Sequence, residues 1–221
     1  MSKALALALV LVFLTASSTI LAIPVSGVTA DENTWVSKAP MPTARCVLGV
    51  VTVNGNIYAI GGSISASYPL DTFVATNEEY NVTTNAWKTK ANMPTSRGYF
   101  AIASYQNKIY CFGGATGTRL VDERSGFYTA IMSNATEVYD PVTDTWTTKA
   151  PMPRQRMQIS AQQINGKIYV IGNSYFQVYD PVSDSWTGGG YMPMPSDSVV
   201  FNNKILVTGV HDVEYSPTSQ Y

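Results

Sequence analysis

Four tryptophans stand at positions 35, 87, 146 and 186, and six residues after each comes Met-Pro: Met41-Pro42, Met93-Pro94, Met152-Pro153 and Met192-Pro193. An offset kept four times means that one structural unit recurs along the chain. The first three copies carry an arginine four residues past the methionine (Arg45, Arg97, Arg156) and a tyrosine seventeen past it (Tyr58, Tyr110, Tyr169). Those tyrosines sit in NIYAIGG, KIYCFGG and KIYVIGN. A second tyrosine follows (Tyr80, Tyr139, Tyr179), and seven residues later the next tryptophan (Trp87, Trp146, Trp186). Nearly all variation in length lies between the glycines and the second tyrosine: 18 residues from Gly62 to Tyr80, 25 from Gly114 to Tyr139 and 7 from Gly172 to Tyr179. A constant frame with one elastic segment is a structural unit carrying a variable loop.

Each unit reads as strands. CVLGVVTV (46–53) is an apolar, β-branched run, Asn54-Gly55 is a hairpin signal, and Ile57–Ile60 is the return strand. A third strand ends at the second tyrosine, a turn such as DPVTD follows, and tryptophan starts a fourth. A four-stranded antiparallel meander of roughly fifty residues is too small to stand alone and needs neighbours on both faces. With 13% charged residues, 14 Tyr, 16 Gly and 12 Pro, the composition lacks the Lys and Glu of surface helices and agrees with an all-β chain.

The pattern of Gly61-Gly62 or Gly113-Gly114, then tyrosine, then tryptophan, with Met-Pro and arginine leading into the next unit, resembles the kelch repeat. The resemblance runs from Trp35 to the end of the chain and implies an all-β, kelch-type β-propeller of four-stranded antiparallel blades, with about four repeats (41–87, 93–146, 152–186 and 192–221). In the fourth, Ser196 replaces the arginine, Leu206 stands for the tyrosine three residues early, and Gly209-Val210 stands for Gly-Gly. Two arrangements follow: a four-bladed ring whose last blade borrows an outer strand from residues 35–40, or an incomplete arc prone to self-association through exposed edges.

Residues 1–30 are set apart from the repeats. Lys3 precedes the apolar run Ala4–Leu14, no charge occurs from there to Asp31, and Val28, Thr29 and Ala30 are small. This matches a secretory signal peptide, with a membrane anchor over residues 4–28 as the alternative. Either reading places the repeats outside the cytoplasm, extracellular or at the cell surface. A net charge of −1 with no basic run excludes the electrostatic footprint of a nucleic-acid binder.

Candidate site residues fall in two groups. Arg45, Arg97 and Arg156 would lie where inner strands begin, either making a hydrogen bond that every blade needs or presenting guanidiniums to a carboxylate or sulfate at a channel mouth. The elastic loops, Ser63–Val74 and Ala115–Ser133, would emerge on that same face; the second offers Arg119, Asp122, Glu123, Arg124, Phe127 and Tyr128. The glycines at 61, 62, 113 and 114 are followed by no helix and so are no phosphate loop. One histidine, His211, and two cysteines at non-equivalent places, Cys46 and Cys111, supply neither a metal set nor a nucleophilic triad, and no metal or cofactor is expected. The cysteines are open to bridging or to burial as thiols. Glu78-Glu79 and Asp122-Glu123 read as solvated pairs, and Asn81 (NVT) and Asn134 (NAT) are glycosylation sequons. The functional expectation is a non-enzymatic module binding a protein or glycan through its loops. The alternatives are a carbohydrate-active enzyme resembling the sialic-acid mutarotases, whose arginines would hold an anionic sugar, and part of a larger propeller.

Overall fold

The computed structural model describes residues 35–65, 72–191, 195–209 and 213–215. Blade 1 is β1 (Gly49–Val53), β2 (Asn56–Ile60), β3 (Asn77–Asn81) and β4 (Ala86–Lys90), an antiparallel meander in that order. Blade 2 contains β5 (Ala101–Tyr105), β6 (Lys108–Phe112), β9 (Thr136–Asp140) and β10 (Thr145–Lys149). Between its second and third strands it carries a separate two-stranded sheet, β7 (Ala115–Asp122) with β8 (Phe127–Met132). Blade 3 is β11 (Ser160–Ile164), β12 (Lys167–Gly172), β13 (Tyr175–Asp180) and β14 (Ser185–Thr187). The fourth sheet has three strands, β15 (Pro195–Phe201), β16 (Lys204–Gly209) and β17 (Val213–Tyr215). All four lie in the unit Lys38–Tyr221.

The inner hairpins share one turn geometry. Asn54-Gly55, Gln106-Asn107, Asn165-Gly166 and Asn202-Asn203 all have positive φ at both central residues, the twist that antiparallel neighbours require of a two-residue loop. The inner strands are shorter than the apolar runs suggest. Val47, with φ of 51°, breaks the extended backbone, so β1 begins at Gly49 rather than at Cys46.

The repeated residues turn out to be joints. Trp87, Trp146 and Trp186 donate their indole N–H to the carbonyls of Ala39, Ala91 and Ala150, in the segments that lead into the Met-Pro pairs. The second tyrosines donate to an acceptor five residues on, Tyr80 to Asn85, Tyr139 to Asp144 and Tyr179 to Asp184. The same Oδ1 atoms accept from the amides of Ala39, Ala91 and Ala150. Met93 and Met152 plug the spaces between successive blades: Met93 packs with Tyr58, Ile60 and Phe100 in one cluster, and Met152 with Phe112, Val170 and Tyr179 in the next. A third cluster joins Tyr169 and Ile171 of blade 3 to Ile205 and Val207 of blade 4. On β15, Val199 and Phe201 are exposed.

Residues 35–40 form no strand, and Trp35 is fully exposed. The expected outer strand is therefore absent there: Ala39 is held by Asn85 and Trp87 of blade 1 through single hydrogen bonds, not by a ladder. Residues 1–30, expected to be a signal peptide or an anchor, lie outside the described residues. Among those described, no helix is long and apolar enough to cross a membrane.

Asp144 is held below the usual carboxylate range, chiefly by the Tyr139 hydroxyl and the Ala91 amide, which hydrogen-bond its charged form. A depressed folded-state pKa contributes stability that is present above the unfolded pKa and lost as pH falls through the folded one. Blade 1 has uncharged Asn85 at this position. Asp144→Asn is therefore expected to keep the hydrogen bond from Tyr139 and to reduce the loss of stability as pH falls below about 4, read from urea denaturation at stepped pH. Equal acid sensitivity of the two proteins would refute this.

Candidate ligand-binding site

The arginines of blades 1 and 2 are straps inside their own sheets. Arg97 is completely buried; its Nη1 donates to the carbonyls of Gly113 and Ala135, both at 3.0 Å, and its Nη2 meets Glu137 Oε2 at 2.9 Å. Arg45 repeats this with Gly61, Thr76 and, at 2.6 Å, Glu78. The second oxygen of each glutamate accepts from a threonine two residues before the arginine, Thr43 at 2.8 Å and Thr95 at 2.6 Å. Burial pulls the pKa of both arginines down. Neither has a side-chain donor directed at a ligand. Both arginine side chains bond within their own blade and not to the backbone of a neighbouring one. Arg156 departs from the pattern: among the described residues its side chain donates only to Gly172 O and Tyr175 O, and it borders a separate small cavity.

One expectation about acidic residues is corrected. Glu78 is buried against Arg45, and Glu79 accepts from Asn56 and Tyr58 at 2.7 Å each, so this pair is bound rather than solvated. Asp122 caps a turn, accepting from the Arg124 amide and the Ser125 hydroxyl. Cys46 and Cys111 are free thiols; burial pushes the Cys111 pKa up to about 12. Asn134 donates its Nδ2 to the Met152 carbonyl. Asn81 uses only its Oδ1, accepting from Thr84 N in an exposed turn, so it alone of the two presents an uncommitted amide nitrogen. Among the described residues no group of three His, Cys, Asp or Glu is placed to hold a metal.

Sequence length suggested an elastic loop over Ala115–Ser133, and the structure makes most of it a twisted hairpin with register shifts near both ends. Alternate residues of β8 face opposite ways. Phe127 is exposed near the tip with Arg119, Glu123 and Arg124, while Tyr128 turns inward. Beneath the hairpin is a cavity of about 300 Å³. Its walls are Tyr128 and Ala130 from β8, Phe73 from the first elastic loop, Tyr99 before β5, and Met157 and Gln158 before β11. Three successive repeats thus converge on one space. Among the described residues the lining is mostly apolar and aromatic, with Thr118, Thr129 and Gln158 as its polar members and no arginine.

Tyr99 and Gln158 are held with φ of 55° and 54°, and Val47 at the same repeat position has 51°. Left-handed backbone at a non-glycine residue costs about 1–3 kcal/mol and persists only where surroundings enforce it. Here hydrogen bonds between blades do so, from Tyr99 N to Val47 O at 3.0 Å and from Gln158 N to Tyr99 O at 2.8 Å. Sequence reasoning missed Tyr99, Met157 and Gln158. The available signal was positional: Val47, Tyr99 and Gln158 each stand two residues after the repeated arginine and differ in type.

Comparison with known proteins agrees with the geometry. The model of the Kelch motif matches residues 44–94, the stretch from the first arginine strap to the second Met-Pro. The chain is a kelch-repeat protein. Relatives of this kelch-repeat chain include spermatocyte protein spe-26 of Caenorhabditis elegans, 30% identical over 145 residues, covering 64% of this chain and 24% of the relative. Another is beta-scruin of Limulus polyphemus, 30% identical over 146 residues, covering 66% and 15%. Kelch-like protein 15 of Danio rerio is 30% identical over 151 residues, covering 64% and 24%. The chain thus spans about a quarter or less of the length of these relatives. Among solved structures, that of YjhT superposes with a TM-score of 0.60 at 16% identity, covering 78% of this chain and 59% of that one, a likeness of fold.

Proposed function

We propose that this kelch-repeat chain is an exported binding module that takes an apolar or aromatic side chain of a protein partner into the cavity beneath the β7–β8 hairpin. The observation that carries the reading is the convergence of Phe73, Tyr99, Tyr128 and Met157, from three repeats, on one uncharged cavity. Rigid aromatics around a concave apolar space bind with little loss of side-chain entropy, and a loop on a rigid scaffold is where specificity resides. Exposed Phe127, Leu120 and Ile131 on the hairpin extend the apolar surface beyond the cavity. Export rests on the composition of residues 1–30 alone.

The test is selection of peptides from a random display library on the full chain, followed by measurement on Tyr99→Ala and Tyr128→Ala. Selected peptides are expected to share an aromatic or branched apolar anchor. Each substitution is expected to weaken them about thirtyfold, the effect of removing an aromatic hot spot. Peptides whose affinity survives both substitutions, or a glycan array that yields stronger ligands than any peptide, would overturn the protein-partner reading.

A further inference from the structure

The third blade keeps the arginine strap but has lost its counter-ion. The register is unambiguous: Glu78 pairs across β2 with Ala59, Glu137 pairs with Cys111, and the residue paired with the equivalent Val170 is Gln177. At the place of Thr43 and Thr95, two residues before the arginine, blade 3 has a second cation, Arg154. Both partners of the strap have changed together. One acceptor has become an amide, and one hydroxyl donor has become a guanidinium.

The surroundings have changed as well. Thr89 lies opposite Glu78 and Thr148 opposite Glu137 on the outer strands, but β14 stops at Thr187 and runs into Gly188-Gly189-Gly190. Without side chains there, a cavity of about 140 Å³ opens, bordered by Arg154, Arg156, Tyr175, Phe176, Gln177, Gly188 and Gly189. Gly189 cannot be replaced in this conformation, since a Cβ would fall 1.6 Å from Phe176 O.

Polar groups around this space are left unmatched. Arg156 is 6% exposed and Gln177 5%. Among the described residues neither Gln177 Oε1 nor Nε2 has a hydrogen-bond partner. Among the described residues the side-chain hydrogen bonds of Arg156 all come from Nη1, and no carboxylate pairs with Arg156 or Arg154. The guanidinium carbons of Arg156 and Arg154 lie 5.5 and 5.3 Å from the centre of the Tyr175 ring, which brings two like charges to one aromatic side chain. A nearly buried cation without an anion, beside an unsatisfied amide, is costly, and such groups are ordinarily satisfied.

We propose that this cavity is a binding site for a small carboxylate, which supplies from outside the anion that Glu78 and Glu137 supply within blades 1 and 2. A carboxylate suits the donor set better than a tetrahedral anion does: the guanidinium fork matches two coplanar oxygens, and the same chain satisfies this arginine with a carboxylate twice. Tyr175 and Phe176 leave room on the apolar side for a short hydrocarbon tail. The site is separate from the cavity under the hairpin and does not depend on what binds there.

The test uses the full chain and three probes at equal ionic strength, sodium acetate, sodium phosphate and sodium chloride, read by thermal unfolding and by line broadening of ¹³C-acetate. Acetate is expected to raise the melting temperature above the chloride value and to broaden saturably. Gln177→Glu, which installs the missing carboxylate, is expected to abolish both acetate responses, and Arg154→Thr, which restores the residue type of the other blades, to weaken acetate binding at least tenfold. If Gln177→Glu does not fold, Arg154→Thr decides. Equal responses to acetate and chloride, tighter binding of phosphate than of acetate, or acetate binding unchanged in either variant would overturn the proposal.

Discussion

Glu137→Gln is expected to cost about 3–5 kcal/mol of folding stability, the range found when one partner of a buried ion pair is removed. Arg97 is fully enclosed, and its Nη2 lies 2.9 Å from the Glu137 carboxylate. Burial lowers its pKa, but a guanidinium does not shed its charge at neutral pH, so deprotonation offers no relief. The substitution also weakens what Thr95 donates to, since Glu137 Oε1 holds that hydroxyl at 2.6 Å. Urea denaturation would read the effect as a lower midpoint. Blade 3 makes a natural contrast: glutamine already stands at the equivalent position, 177, beside a cavity. A loss below about 1 kcal/mol for Glu137→Gln would mean that the strap is not held by charge, the level at which exposed pairs contribute.

Gly61→Ala is the second large effect. The residue has φ of +61°, and an added Cβ would lie 2.6 Å from the Arg97 carbonyl oxygen and 2.8 Å from the Phe100 ring. Both belong to the leading segment of blade 2, so the glycine is a point of contact between blades. The next residue, Gly62, donates its amide to that same Arg97 oxygen at 2.9 Å. Left-handed strain plus overpacking predicts a loss of about 2–5 kcal/mol. Gly126 serves as the control: its φ is +66°, but nothing lies within 4 Å of its would-be Cβ. Gly126→Ala is expected to cost about 1–2 kcal/mol, from backbone strain alone. Equal losses at the two positions, measured by thermal unfolding, would show that the approach of blade 2 to Gly61 is unimportant.

These two residues illustrate what could be read before any coordinates. Gly61 and the tryptophans announced themselves by recurrence, because every blade needs the same joints and a repeat writes the same solution each time. The turns were partly legible. Asn54-Gly55 carries a strong local signal, whereas Gln106-Asn107 adopts the same positive φ values without a glycine, under the constraint of the hairpin it closes. The hairpin nature of 115–133 was hidden, since length variation marks where a segment is free to differ and not what it forms. The arginines were legible as a pattern and ambiguous in purpose: recurrence alone does not tell an inward strap from an outward ligand clamp.

The amino-acid sequence by itself determined the unit. Spacing of Trp, Met-Pro, Arg and Tyr specifies a four-stranded kelch blade, and the physical reason is that those residues bond and pack within a blade or to its immediate neighbour. Tertiary structure alone decided the sites. Phe73, Tyr99 and Tyr128 meet only because three repeats pack side by side, and Arg156 lacks an anion only when β13 is seen to place Gln177 where the sister blades place glutamate. Contacts within a repeat leave a periodic trace in the chain; contacts between its exceptions do not.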